Sequence, residues 1–206
     1  MMIALPCAVG LSLLGGPFLE IILPTNPQYP DLANHLLLGG SSFVIFFAFS
    51  TVTNAILQAT DHLQLPVIHS AIALAIHTVT AFLLIRFFDL NVWGLMISTI
   101  LFAVVLCVLN YIALRTKVGF YMELKTSIFL PLLASLFMGA AGYGCYRLIY
   151  ALTGHNTISF LLAFIVAVII YTIAVCLLKA VTEEELLSIP KGHKIVQILK
   201  KFRLLH

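Results

Sequence analysis

Six polar side chains set inside long apolar runs hold most of the chemistry this 206-residue sequence could perform: Glu20, Asn54, Gln58, His69, His77 and Asn110. Ionisable and amide groups are costly in hydrocarbon. In an apolar run they mark either a hydrogen bond between helices or a path for a polar substrate. Thr51, Asn54 and Gln58 recur at i, i+3 and i+7, which makes one polar stripe on a helix, suited to joining helices or to wetting a cavity. Asn110 admits the same two readings. His69 and His77 fall about 12 Å apart along a helix axis and about 80° apart around it, close enough to line adjacent parts of one surface. Each is read either as a neutral imidazole bonded to a neighbouring helix or as a cavity residue. Two imidazoles are too few for a metal site, which needs further ligands. Glu20 follows Pro17 by three residues and either reaches interfacial water or meets substrate.

Around these groups the usual machinery of catalysis is missing. No expected span carries an aspartate, and the sequence has no Gly-rich phosphate loop, no HExxH and no GxSxG. Cys7, Cys107, Cys145 and Cys176 lie far apart inside apolar runs, without ligand spacing, and read as small buried hydrophobes. The chain is therefore not expected to be an enzyme, and no cofactor, metal or nucleic-acid partner is expected.

The elements that must position the six residues are membrane helices. Hydrophobic residues make up 62% of the chain and charged ones 9%, against roughly 45–50% and 25% in soluble domains. So few charges cannot cover a water-facing surface, and the lipid bilayer must be the solvent. A helix needs about 20 apolar residues to cross hydrocarbon. Six stretches qualify, at 2–23, 36–58, 66–86, 93–114, 126–151 and 157–179. The expected fold is all-α, a polytopic bundle of about six transmembrane helices. Strands are excluded because isolated apolar runs satisfy their backbone only as helices. Turn signals separate the spans at Pro24-Thr25-Asn26-Pro27, Asp61-His62, Asp89 to Asn91 and Thr153 to Asn156. Gly15-Gly16-Pro17 predicts a kink or interruption in the first span, and Pro131 a smaller disturbance early in the fifth.

Nine of the eleven Lys and Arg residues fall on one side of these spans, with only Arg86 and Arg147 on the other. The positive-inside rule then places both termini in the cytoplasm. Residues 1–180 form the membrane domain and 181–206 a basic tail. In that tail Thr182 can cap a short helix begun by Glu183, Glu184 and Glu185. After Pro190, Ile195, Ile198, Leu199 and Phe202 recur beside Lys194, Lys200, Lys201 and Arg203. That pattern reads either as a helix on an anionic leaflet or as a frayed end that serves topology alone.

The motif order resembles one transporter family. Leu5-Pro6, Val9-Gly10-Leu11 and Gly16-Pro17 come first, then Ala55-Ile56-Leu57-Gln58 ahead of Leu65-Pro66-Val67-Ile68. Leu90-Asn91-Val92-Trp93-Gly94 with Ser98-Thr99, Leu133-Ala134-Ser135 with Met138-Gly139, and Val181 to Leu186 with Ile189-Pro190-Lys191-Gly192 follow. Their colinearity resembles spans nine to fourteen of the polysaccharide-biosynthesis transporters similar to stage V sporulation protein B, in the MATE-like multidrug/oligosaccharidyl-lipid/polysaccharide exporter superfamily. Members usually have fourteen spans. The resemblance therefore implies that an N-terminal half lies outside this chain, and a start at Met1 directly within a span agrees with that expectation. It implies flipping or export of a lipid-linked oligosaccharide or cell-wall precursor across the cytoplasmic membrane by alternating access, coupled to an ion gradient or to substrate flow. The chain departs from the family in having His77 where a lysine is common and Ala81 where an asparagine is common. Two rivals stand beside this reading: a drug or small-cation exporter of the same superfamily, which would call on Glu20, and a remnant with no transport activity of its own.

Overall fold

The computed structural model describes residues 1–22, 30–119 and 128–178, and all regular structure among them is helical. Six helices follow in order: α1 (Ala4–Ile22), α2 (Pro30–Ala59), α3 (Gln64–Arg86), α4 (Asn91–Ala113), α5 (Leu130–Thr153) and α6 (Asn156–Leu177). Each contains a stretch long and apolar enough to cross a membrane. The protein is a multi-pass membrane helix bundle. The turn at 24–27, the 120–127 connection with Lys125, and the tail with Lys194, Lys200, Lys201 and Arg203 lie outside the described residues.

Helix edges agree with the expected spans to within a few residues, with one exception. The second helix starts at Pro30 rather than at residue 36. Proline suits a first helical turn because its fixed φ is already helical and its missing N–H is not needed there. At 30 residues, α2 is about 45 Å long, well beyond the ~30 Å hydrocarbon core. Nor is α1 interrupted, since it runs through Pro17 from Ala4 to Ile22. Pro131 sits in the first turn of α5, where it costs little. After α4 the chain widens into a π-helical turn, Leu114–Val118, and stops at Gly119 with φ 68°. Three expected turns contain left-handed residues: Asp61 has φ 61°, Asp89 and Asn91 have φ 50° and 43°, and Gly154 has φ 66° with its N–H on the Tyr150 carbonyl at 2.9 Å.

The six helices group into two compact units. One contains α2, α3 and α4; the other contains α1, α5 and α6. In the α2–α4 unit Leu57, Ala113 and Leu114 form a buried cluster with Ile56, Leu65 and Val118 packed on it. Gly94 admits α3 closely, and a Cβ there would lie 3.0 Å from the Cβ of Leu84. In the α1/α5/α6 unit, Leu14, Tyr146 and Ala163 pack together, as do Ala134 and Val175. A Cβ on Gly139 would fall 2.6 Å from both Leu13 Cδ1 and Val9 Cγ1, and one on Gly142 would fall 3.1 Å from the Cβ of Ala167. Between membrane helices, close contact of small residues supplies the packing energy that water expulsion supplies elsewhere. Hydroxyls within the helices mostly bond to their own backbone, as Ser135 does to the Pro131 carbonyl at 2.6 Å and Thr172 to Val168 at 2.9 Å. They add no polar demand on lipid.

Candidate functional site

The α2–α4 unit buries one polar network, centred on Asn110. Asn110 is fully buried near the C-terminal end of α4. Its Nδ2 donates to Asn54 Oδ1 at 2.7 Å, and also faces Thr53 Oγ1 at 3.3 Å and the Ser50 carbonyl at 3.4 Å. On the other side Asn110 Oδ1 pairs with His69 Nδ1 at 2.8 Å. Three helices thus meet in a chain of hydrogen bonds: α2 through Ser50, Thr53 and Asn54, α3 through His69, and α4 through Asn110. Buried amides need this completeness, because an unpaired one costs about 1–3 kcal/mol.

Of the six residues singled out by type and spacing, the structure joins Asn54, His69 and Asn110. Three others stand apart. Gln58 is exposed at the end of α2. Thr51 is exposed too, with its hydroxyl on the Phe47 carbonyl of its own helix at 2.8 Å. The expected 51–54–58 stripe is therefore only the edge of the polar face. The buried face is Ser50, Thr53 and Leu57, at 1%, 2% and 0% exposure. Ser50 and Thr53 were not singled out, although Ser50, Thr53 and Asn54 at i, i+3 and i+4 carry the signal that would have found them. His77 packs edge-on against Phe102, with ring centroids 6.0 Å apart. Its Nδ1 is buried without a hydrogen-bond partner among the described residues. Bonding to a neighbouring helix therefore describes His69 and not the Nδ1 of His77.

Glu20 belongs to a second polar cluster, at one end of the α1/α5/α6 unit. Asn156, the first residue of α6, donates through Nδ2 to Glu20 Oε2 at 2.9 Å and to the Pro17 carbonyl at 3.1 Å. Its Oδ1 accepts from the Tyr146 hydroxyl at 3.0 Å. Glu20 itself is exposed. This arrangement ties α1 to α6 and α5 and leaves the acid of the exporter reading engaged by an amide.

The rest of that unit offers apolar surface. A groove of about 550 Å³ runs among α1, α5 and α6, lined by residues such as Pro6, Cys7, Gly10, Met138, Phe164 and Val168. Cys7 is exposed along it. This corrects the expectation of a buried thiol: among the described residues of its unit, α5 and α6 do not cover that face of α1. The Tyr171 hydroxyl donates to the Met2 carbonyl and ties α6 to the start of α1.

These features define a polytopic helical membrane protein with a hydrogen-bonded polar centre and no catalytic constellation among the described residues. The chain is similar to the lipid II flippase MurJ of Bacillus subtilis (strain 168), with 29% identity over 138 residues. That stretch covers 66% of this chain and 25% of the relative, so the match spans about a quarter of the flippase. No family model matches the chain, and no solved structure does.

Proposed function

We propose that this chain is part of a transporter that flips a lipid-linked oligosaccharide or cell-wall precursor across the cytoplasmic membrane. The observation that carries the reading is the Asn110 network, in which a fully buried amide is hydrogen-bonded to an imidazole and a second amide from neighbouring apolar helices. Similarity to a lipid II flippase supports it. The amide and imidazole groups of Asn54, His69 and Asn110 in the α2–α4 unit suit the hydroxyls of a lipid-linked sugar, with His77 further along the helix that carries His69. Basic residues Arg115 and Lys117 follow α4, so the positive-inside rule puts the network near the cytoplasmic end of its unit.

Alternating access requires two bundles that rock about a central cavity. Because the matched region is a quarter of the relative, the remaining helices are expected from a partner half, and the chain alone is expected not to transport. Two measurements test these statements. In lipid nanodiscs the chain should retain a fluorescent lipid-linked disaccharide over the same lipid phosphate without sugar, and Asn110→Leu should weaken that preference several-fold. Equal retention of both lipids would overturn the sugar assignment. In liposomes holding only this chain the labelled lipid should cross no faster than in empty vesicles, and faster crossing would contradict the need for a second bundle.

A further inference from the structure

The geometry around Asn110 fixes more than a contact, because it also determines which nitrogen of His69 carries the proton. A backbone carbonyl can only accept, so the group of Asn110 that faces the Ser50 carbonyl must be its amide nitrogen. The same nitrogen points at Asn54 Oδ1. Thr53 agrees with this: its hydroxyl donates to the Phe49 and Ser50 carbonyls at 3.0 and 2.9 Å and so has only lone pairs to offer Asn110. Asn110 Oδ1 is therefore the atom turned to His69, and at 2.8 Å it must receive a proton from Nδ1. In a neutral imidazole the other nitrogen is then a bare acceptor. His69 is half-buried, and its Nε2 is neither bonded to a described residue nor sealed from the surface.

We propose that Asn110 is a positioning residue that locks His69 in the Nδ1–H tautomer, so that Nε2 presents a lone pair to a hydrogen-bond donor of the substrate, namely a sugar hydroxyl. The tautomer follows from the hydrogen-bond chain alone; the sugar hydroxyl rests on the flippase reading above. Free neutral histidine favours the proton on Nε2, so the lock works against the ring's own preference and is visible in its absence. It also gives the network a direction. Donation runs from His69 to Asn110 and from Asn110 to Asn54, and the end left open to a ligand is an acceptor.

The test is ¹⁵N NMR of the histidine-labelled full chain in lipid nanodiscs, at mildly alkaline pH where imidazole is neutral. The His69 signals are assigned by their loss in His69→Asn, which keeps a donor toward Asn110 and removes Nε2. In the wild type the pyridine-like shift should belong to Nε2. Asn110→Leu should move it to Nδ1, whereas Asn110→Asp, which keeps an acceptor facing Nδ1, should leave it on Nε2. A wild-type ring protonated at Nε2, or a tautomer unchanged by Asn110→Leu, overturns the lock. The ligand class is read by titrating the wild type with a neutral hexose and, separately, with inorganic diphosphate. The Nε2 resonance should move with the hexose and not with diphosphate. Movement with diphosphate, or with neither, overturns the sugar hydroxyl and leaves the tautomer standing. Failure of the nanodisc retention assay with the tautomer and the hexose shift intact would count against the flippase reading instead.

Discussion

The two three-helix units use the same kind of apolar helix but place their few polar side chains differently. In the α2–α4 unit the amide of Asn110 is fully buried and every helix contributes a bonding partner. In the α1/α5/α6 unit Asn156 holds its partners at the helix ends, where Glu20 is exposed, and the intervening surface is an apolar groove. A buried network is unforgiving because each lost partner strands another group away from water. A cluster at the helix ends is forgiving because water replaces what is lost. Both units pack through glycines, at Gly94 in the first and at Gly139 and Gly142 in the second, and the first adds a buried hydrogen-bond network that joins its three helices.

This contrast is breakable in graded steps, read as unfolding free energy in detergent or bicelles. Asn110→Leu should cost the most, about 2–3 kcal/mol, since it removes the partner of His69 Nδ1, Asn54 Oδ1 and Thr53 Oγ1 at once. Gly139→Val should cost about 1–3 kcal/mol by forcing α1 off α5, because Val9 is branched at the contact and turns aside poorly. Asn156→Ala should cost about 1 kcal/mol, with Glu20 free to bond water. Thr51→Ala should change stability by less than about 0.5 kcal/mol, its hydroxyl being exposed and bonded only within α2. If Asn156→Ala proved as damaging as Asn110→Leu, the two clusters would not differ as described.

Much of this architecture was legible in the sequence. Spans of about 20 apolar residues register as helices because lipid leaves the backbone no other partner, and the edges of five of the six helices fell close to where the apolar runs end. The start of α2 did not: Pro30 extends the helix through residues that are not apolar enough to count as span. The grouping of α1 with α5 and α6 was not legible either. Short turns suggest that neighbours in sequence are neighbours in space, and nothing local records that α1 packs elsewhere.

The polar centre was legible in parts. Asn54, His69 and Asn110 each stood out as a cost that needs a reason, but periodicity gives a face and not a partner. It therefore favoured Thr51 and Gln58, on the edge of α2, over Ser50 and Thr53, on its buried side. Of the motif residues, Gly94 and Ser98 on α4 and Ala134, Ser135, Met138 and Gly139 on α5 are buried, while Trp93 is exposed.

Water is expected to reach the half-buried His69 at the edge of the α2–α4 network, and lipid to cover the groove beside Cys7 in the other unit; thiol accessibility in membrane vesicles open to the cytoplasmic side measures both. One variant keeps Cys7 alone. A second has all four native cysteines replaced and carries His69→Cys. A membrane-impermeant maleimide should label the position-69 thiol readily and leave Cys7 unmodified until the membrane is dissolved. Labelling of Cys7 in intact vesicles with the position-69 thiol protected would contradict the account.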